Sequence, residues 1–306
     1  MAKYEKSYER PKEIKKTKGR LVILIIFLLV LLAVTLFFLF FNKSKPNSQP
    51  TNNLGQNPTK TNSGNGYISN SSAPAAIGTA EVVADAGTAQ WVQIKSSKKE
   101  KKFTDLSEAG IKIIKANNPL VLKTATSHKT PTRLLSEVMA DYPDAAIMNA
   151  SGFDMSTGSV LGFQINNGKL FGDWTGSGEA SFVINSDGTC AAYDSTSSAS
   201  EILQKGAAMS FTFSSILVKN GTVQPNDGSF DWKKHALIGN DAENNIYLII
   251  TDTNYSYDML LKIVSGFKMQ NLVQMDGGGS SQLALKGKVL FPSEDNRAIP
   301  DYIVLK

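Results

Sequence analysis

Residues 271–285 read Asn-Leu-Val-Gln-Met-Asp-Gly-Gly-Gly-Ser-Ser-Gln-Leu-Ala-Leu, and this stretch predicts a strand, a tight glycine loop and a second strand. Two apolar runs flank the loop, which itself holds one carboxylate, three glycines and two hydroxyls. Consecutive glycines are unfavourable to order, because glycine loses the most backbone freedom on folding. A chain that orders three of them usually needs a positive φ angle or a close approach of its backbone to another group.

The loop supports two interpretations. Its N–H groups can form an anion-binding nest, and Asp276, Ser280 and Ser281 add an acid and two hydroxyls, so the loop suits a phosphorylated sugar. Alternatively, it is a glycine-rich hairpin with a solvated aspartate. A phosphate-binding P-loop is excluded because no Lys follows the glycines. A nucleophile elbow is excluded because residues 279–283 do not match G-x-S-x-G.

The N-terminal residues predict a membrane anchor. Residues 21–41 contain one polar residue, Thr35, and as a helix they span about 32 Å, enough for a bilayer core. A cleaved signal peptide is the alternative, although its apolar region is usually only about 7–15 residues long. Eight Lys and Arg in residues 1–20 place this tail in the cytoplasm and the C-terminal domain outside the cell. We expect a single-pass protein of the cell membrane, and the lone Cys190 favours a bacterial, Gram-positive surface.

Composition divides the remainder of the chain in two. Residues 42–79 are rich in Asn, Ser, Pro, Thr and Gly and poor in apolar residues, which predicts a disordered tether. Residues 80–306 predict one extracellular folded domain. The net charge of +5 is already present in residues 1–20, where eight Lys and Arg accompany three Glu, so the chain beyond them is neutral. Without excess positive charge for a phosphate-binding face, the sequence predicts no nucleic-acid partner.

The folded domain has the pattern of the α+β class: a single mixed, strand-rich domain with few helices. The predicted strands are Glu81–Val83, Trp91–Lys95, Leu120–Thr124, Ala145–Asn149, Val160–Ile165, Ser181–Ile184, Ala236–Gly239, Asn245–Thr251, Leu272–Met275 and Gln282–Leu285. Helical periodicity is confined to residues 133–140, 257–267 and, more weakly, 199–205, and Thr132 is the predicted N-cap of the first helix. Helices that are sparse among many strands favour α+β over a regular βαβ repeat.

Further residues with possible chemical roles lie at strand ends. Asn149 and Gly152 form a small-residue turn that suits a site at a sheet edge, or an ordinary turn. His235 could bind an anion or shuttle protons, or could be a structural surface residue. Asp252 could be catalytic or could cap a helix. Arg297 could bind a phosphate through its fork of N–H groups, or could simply lie at the surface.

Metal-binding motifs are missing from the sequence. It contains no H-x-x-x-H, no cysteine cluster and no EF-hand loop. The two histidines, His128 and His235, lie far apart in sequence. We therefore expect no cofactor, while a calcium ion held by carboxylates and carbonyls stays an open alternative.

Taken in order, these motifs resemble the phosphodiester glycosidase family, to which the "uncovering enzyme", N-acetylglucosamine-1-phosphodiester α-N-acetylglucosaminidase, belongs. The resemblance covers roughly residues 144–306, and residues 276–281 are its most specific part. It implies hydrolysis of a sugar-1-phosphodiester, which releases the sugar and leaves a phosphomonoester. Bacterial members of the family are often associated with exopolysaccharide biosynthesis.

The resemblance also implies roles for the residues that match the family's motifs. Asp276 is the first candidate catalytic residue, and Asp252, which matches the acid after the family's central strand, is the second. The remaining candidates are expected to contact the substrate: Asn149, Gly152, His235, Gly277, Gly278, Gly279, Ser280, Ser281 and Arg297.

Three positions depart from the family pattern. Asp154 stands where a second aromatic residue is usual, His235 begins a dipeptide that is usually Arg-Thr, and Thr253 replaces a glycine. A diverged or inactive member therefore stays open. The sequence leaves three hypotheses: a surface-anchored phosphodiester glycosidase acting on cell-envelope glycopolymers, a non-catalytic module that binds sugar phosphates, and an envelope-assembly protein.

Overall fold

The computed structural model describes residues 80–226, 230 and 233–306. The predicted cytoplasmic tail, transmembrane helix and tether, residues 1–79, lie outside the described residues. In the described part of the chain, no helix is long and apolar enough to cross a membrane. The described residues all belong to one unit, Ala73–Lys306.

Short strands make up most of the regular structure. In chain order they are β1 (Val92–Gln93), β2 (Lys102–Asp105), β3 (Ile111–Asn117), β4 (Leu120–Lys123), β5 (Ala146–Asn149), β6 (Gln164–Asn166), β7 (Lys169–Gly172), β8 (Ala180–Asn185), β9 (Cys190–Asp194), β10 (Ala207–Thr212), β11 (Ile216–Lys219), β12 (Thr222–Val223), β13 (His235–Asp241), β14 (Ile246–Thr251), β15 (Met269–Met275), β16 (Leu283–Leu285), β17 (Lys288–Phe291) and β18 (Tyr302–Leu305). The helices are α1 (Leu135–Asp141), α2 (Ala199–Gln204) and α3 (Tyr257–Val264), and 3₁₀ turns cover Ser265–Phe267 and Gly278–Ser280.

The strands form two large sheets and two small ones. The six-stranded sheet has the order β1-β4-β18-β5-β16-β17, and the seven-stranded sheet has the order β12-β11-β15-β13-β14-β3-β2. A third sheet has the order β10-β8-β9, and β6 pairs with β7. Neighbouring strands within these sheets are antiparallel. Many antiparallel strands with few helices confirm the predicted α+β, strand-rich domain.

The largest apolar core lies between the sheets. It includes Met148 of β5, Phe182 of β8 and Val273 of β15, all fully buried. A second core lies on the other face of the seven-stranded sheet, where Leu260 of α3 packs with Leu272 of β15. Strands β13 and β15 are buried on both faces, and their buried polar residues Asn240 and Asn271 hydrogen-bond to each other at 2.9 Å.

Both large sheets bring one of their ends to the glycine loop. Asn149 at the end of β5 pairs with Tyr302 at the start of β18. The Asp276 N–H, directly after β15, donates to the Ala150 carbonyl, directly after β5, at 3.0 Å. We call this side of the domain the glycine-loop end, and the side reached by the other termini of the same strands the opposite end.

Most predicted strands are present within a few residues of their expected bounds, and two are not. The predicted strand at Glu81–Val83 is reduced to a single bridge at Val82. Of the predicted strand at Val160–Ile165, only the last residues are extended, as part of β6. Val160 forms an isolated bridge with Phe153, and the φ of 72° at Gly162 interrupts the extended backbone between them.

The first helix begins later than predicted. Thr132 was the expected N-cap, but Arg133 bridges Ile299 in an antiparallel arrangement, and the N-cap is Leu134. The Glu137 carboxylate accepts the Leu134 N–H at 2.6 Å. Pairing with a sequence-distant segment therefore overrides the local capping preference of Thr132.

Candidate active site

The glycine loop folds back onto the domain through its own backbone. Gly278 has a φ of 57°, the left-handed region that favours glycine, and its N–H donates to the Lys234 carbonyl at 3.0 Å. The N–H groups of Ser280 and Ser281 donate to loop carbonyls at 3.2 Å each. All three N–H groups donate to backbone carbonyls of the protein. They therefore do not form the anion-binding nest that the sequence suggested.

Asp276 is the carboxylate that the loop holds in place. Burial raises its pKa from the ordinary aspartate value to about 6. The Ser280 hydroxyl, the Gly277 N–H and the positive charge of Arg297 each lower this pKa, but together they do not offset the burial. A carboxyl group that titrates near neutral pH can accept or donate a proton under physiological conditions.

Arg297 connects the loop to an open cavity. Its guanidinium Nη1 donates to the Ser280 Oγ at 3.3 Å, and Nη2 donates to an Asp295 carboxylate oxygen at 2.9 Å. A Cβ at Gly279 would lie 2.8 Å from Nη2, so a side chain there would displace the guanidinium. The Arg297 side chain is 23% exposed and borders a cavity of about 540 Å³ that Phe153 and Asp295 also line. A phosphate in this cavity would compete with Asp295 for the guanidinium.

Asn149 fastens both ends of the loop. Its side-chain Nδ2 donates to the Asp276 carbonyl, and its Oδ1 accepts the Gln282 N–H at 2.9 Å. The residue is fully buried, and both polar ends of its amide are hydrogen-bonded to backbone. The structure therefore gives Asn149 a positioning role for the loop, while its predicted contact with substrate stays a prediction.

Ser281, next to Gln282, is fully buried, and no partner for its hydroxyl is present among the described residues.

Gly152 lines a second, smaller cavity beside the loop. A Cβ at this position would lie 2.7 Å from the ring of Phe213, so only glycine allows the ring to pack there. The cavity has a volume of about 200 Å³, and Glu179 and Phe153 line it together with these residues. Sequence analysis missed Glu179, although its position directly before the apolar strand β8 resembles the strand-end positions of the other candidates.

His235 lies on the helix-covered face of the seven-stranded sheet. It is 2% exposed, and its ring stacks on Phe230 with 3.7 Å between centroids. Its Nε2 bonds to the Phe230 carbonyl, and the Gln274 amide Nε2 donates to its Nδ1 at 2.9 Å. The Lys234 carbonyl next to it accepts the Gly278 N–H of the loop, and the predicted contact of the imidazole with substrate stays a prediction.

Asp252 and Asp276 follow strands that are not neighbours in the sheet. Its strand, β14, is separated from β15 by β13, so the two strand ends are about 10 Å apart at normal strand spacing. The Asp252 carboxylate accepts the backbone N–H of Asn254 at 2.8 Å and its side-chain Nδ2 at 3.0 Å. It therefore caps its own turn, and it does not cap α3, whose N-cap is Ser256.

A buried ion pair that the sequence did not reveal lies under the turn that carries Gly152. Lys123 and Asp301 are both fully buried and form a salt bridge. The Lys123 ammonium also donates to the Ser151 Oγ at 3.2 Å, and burial lowers the pKa of Lys123. Separated by 178 residues, the pair joins β4 to the start of β18 and holds the turn in place.

The described residues contain no group of three or more His, Cys, Asp or Glu side chains arranged to hold a metal ion. The expectation that the protein needs no cofactor stays a prediction, as does the alternative of a calcium ion held partly by carbonyls.

Comparison with known proteins extends the geometric description. The sequence model of the phosphodiester glycosidase family matches residues 143–306, more than half of the 306-residue chain. The SPbeta prophage-derived uncharacterized protein YomE of Bacillus subtilis strain 168 is 32% identical over 176 residues, which cover 52% of this chain. The aligned part is 27% of the length of that relative.

The fold is also similar to that of a solved enzyme domain. The catalytic domain of zebrafish N-acetylglucosamine-1-phosphodiester α-N-acetylglucosaminidase, auto-inhibited by its pro-peptide, superimposes with a TM-score of 0.55. The match covers 71% of this chain and 86% of the zebrafish chain at 19% sequence identity. At this identity the likeness concerns the fold.

Proposed function

The chain belongs to the phosphodiester glycosidase family, and on this premise we propose that it hydrolyses sugar-1-phosphodiester linkages in cell-envelope glycopolymers or their fragments. The reaction releases the sugar and leaves a phosphomonoester. A phosphodiester oxygen is already a good leaving group, so the enzyme needs chiefly to activate the attacking water and to stabilise the oxocarbenium-like centre.

The observation that supports this proposal most directly is the state of Asp276. Its pKa of about 6 lets the carboxylate accept a proton from water near neutral pH and release it again. Asp276 is thus the proposed general base. Arg297, which lies between Asp276 and the cavity of about 540 Å³, is the proposed phosphate ligand.

One observation favours the alternative of a non-catalytic sugar-phosphate-binding module. Glycosidases usually use two carboxylates, but no second carboxylate is among the groups that shift the pKa of Asp276. Asp252 caps its own turn. A non-catalytic binding module would bind the sugar phosphate without hydrolysing it.

The two functions are separated by an isotope experiment on a chromogenic sugar-1-phosphodiester. Water enriched in ¹⁸O should label the released sugar and leave the phosphomonoester unlabelled, because water attacks the anomeric carbon. Label in the phosphate would instead mean attack at phosphorus and would overturn the role of Asp276. Binding without any release of the sugar would favour the binding module.

We further propose that the domain works at the outer surface of the cell membrane, anchored by residues 21–41, with residues 1–20 in the cytoplasm and no nucleic-acid partner. The proposal rests on the apolar run and on the basic residues before it. Protease added to intact cells should release a fragment that starts within residues 42–79. A fully protected C-terminal domain would contradict both the anchor and the tether.

A further inference from the structure

Two neighbouring cavities lie at the opposite end of the domain. They are bordered by the first residues of β10, by Pro119 directly before β4 and by Lys306. Strand β10 runs from Ala207 at this end to Thr212, whose carbonyl accepts the Gly152 N–H at the glycine-loop end. The six residues of β10 separate the two ends by roughly 20 Å at the usual rise per residue.

The first cavity has the composition of a site for a sugar ring. It has a volume of about 530 Å³, and the residues that line it include Trp91, Gln90, Gln93 and Asn167. An indole offers an amphipathic platform on which the apolar face of a sugar can pack. Side-chain amides both donate and accept hydrogen bonds, as the hydroxyls of a sugar require. The Gln93 Nε2 already donates to three backbone carbonyls, so the amide donors for a sugar are those of Gln90 and Asn167.

The second cavity has the composition of a site for an anion. It has a volume of about 420 Å³, and Lys101, Lys102, Lys286 and Lys306 line it around Phe103. Among the described residues, none of these lysines forms an ion pair. Ammonium groups without carboxylate partners attract phosphate as point charges.

Residues that line the two cavities contact each other. The Lys306 ammonium of the basic cavity lies over one face of the Trp91 ring, 4.6 Å from its centroid. The Gln93 Nε2 donates to the carbonyl of Pro119 at 3.1 Å, and Pro119 lines the basic cavity. A ligand that alternates sugars and phosphates can therefore occupy both cavities at once.

Charge at this end differs from charge in the domain as a whole. Residues 80–306 contain 21 Lys and Arg and 24 Asp and Glu, a net charge of −3. The two cavities are nevertheless lined by Lys95 and the four lysines above, and by no Asp or Glu side chain. The charges are thus segregated in space, which concentrates a polyanion at this end.

From these observations we propose that the two cavities form one binding site for a phosphate-bearing glycan chain, separate from the glycine loop. The Trp91 cavity holds a sugar, and the lysine cavity holds the adjacent phosphate. Binding here needs no hydrolysis, so the site stands whether or not the proposed reaction is correct. If both proposals are correct, the site retains a polymeric substrate while the glycine loop acts on another part of it.

The test measures binding to the full chain carrying Asp276→Asn, in which cleavage of the ligand should be slowed by about 10²-fold or more. The probe is a fluorescent oligomer of four N-acetylhexosamine units joined by 1-phosphodiesters, followed by fluorescence anisotropy. Replacing Lys101 and Lys102 by Gln should weaken binding by about tenfold or more. Trp91→Ala should weaken it by a similar factor, and a melting curve should verify that this variant is folded.

A matched control is available in the same loop. Lys98→Gln with Lys99→Gln removes the same charge from exposed residues that do not line the basic cavity, and this variant should bind as the parent does. An equal loss of affinity in the two double variants would overturn the proposed site, because it would show that the probe is attracted only by the overall positive charge. Unchanged binding in the Lys101/Lys102 variant would also overturn it.

The class of ligand is tested by competition. The unlabelled phosphoglycan should displace the probe, whereas a neutral N-acetylhexosamine oligomer and inorganic polyphosphate of equal length should each compete at least about tenfold more weakly. Polyphosphate that competes equally well would overturn the sugar part of the proposal. Loss of binding on Arg297→Ala alone would place the ligand at the glycine loop and overturn the second site.

Discussion

Asp276 and Asp252 each follow a buried strand of the same sheet and lie at the same end of it, yet their surroundings differ. The chain after Asp276 turns onto the six-stranded sheet, where Asn149 and the Ala150 carbonyl hold it, and burial raises the pKa of the carboxyl to about 6. The chain after Asp252 forms a turn of its own, in which Asn254 supplies two hydrogen bonds to the carboxylate. Both aspartates stand at the end of a strand, and the packing of the loop that follows Asp276 is what buries its carboxyl group.

The largest expected effect of this difference is on turnover. Asp276→Asn keeps the volume of the side chain but removes the group that accepts the proton, so kcat should fall by about 10²-fold or more. Steady-state hydrolysis of the chromogenic substrate measures it. Full activity in this variant would remove the central residue of the proposed mechanism.

The pH profile sharpens the same point. If Asp276 is the base, kcat/KM should fall as the pH drops below about 6, because protonation removes the acceptor. At pH 5 the loss should reach about tenfold, as one protonation step predicts. Activity that instead falls as the pH rises through 6 would make Asp276 the acid.

Arg297 should have an intermediate effect. Arg297→Ala should raise KM by about tenfold with a smaller change in kcat, because the residue is proposed to hold the phosphate. Arg297→Lys, the matched control, keeps the charge but loses the fork of N–H groups that contacts Ser280 and Asp295, and it should restore only part of the affinity. Complete rescue by Lys would mean that charge alone matters.

Stability should change in the opposite direction to activity. The folded-state pKa of Asp276 is raised from 3.8 to about 6, so its contribution to stability is lost as the pH rises through that range. Asp276→Asn should therefore be more stable than wild type at pH 7, by up to about 3 kcal/mol. The difference should vanish below about pH 4, and chemical denaturation at both pH values measures it. Equal stability at pH 7 would contradict the raised pKa.

The smallest effect is expected at Asp252. Asp252→Asn retains part of the turn and leaves Asp276 unchanged, so turnover should stay within about twofold of wild type, with a loss of stability of about 1 kcal/mol. A loss of activity comparable to that of Asp276→Asn would restore Asp252 as the second catalytic carboxylate.

Sequence analysis predicted the strands that carry strong local signals and missed several that do not. Strands β13, β14 and β15 are buried on both faces, and each contains an apolar run that is visible in the sequence, such as Ala236–Ile238. β2 and β17 are short strands without a fully buried residue. They are strands because a neighbouring strand supplies hydrogen-bond partners, which local sequence does not encode.

The candidate site was predicted in part for the same reason. The glycine loop was found because its residues are contiguous, and Arg297 does lie beside it. The role of His235 stays a prediction, since an imidazole at a strand start can face either side of a sheet. Here it faces the side covered by Phe230 and α3. The sequence shows which side chains of β13 share a face of the sheet, but it does not show which of the two faces α3 covers.

The sequence by itself determined the class of the domain, the strand-loop-strand around residues 271–285 and the order of motifs that identifies the family, because each of these lies in contiguous residues or in their order. The tertiary structure alone decided which charges meet. It joined Lys123 to Asp301 across 178 residues, and it gathered Lys102 and Lys286 at one cavity of a domain whose net charge is negative. Strand order brings such residues together, and it is fixed by burial of the whole core, so no local pattern reports it.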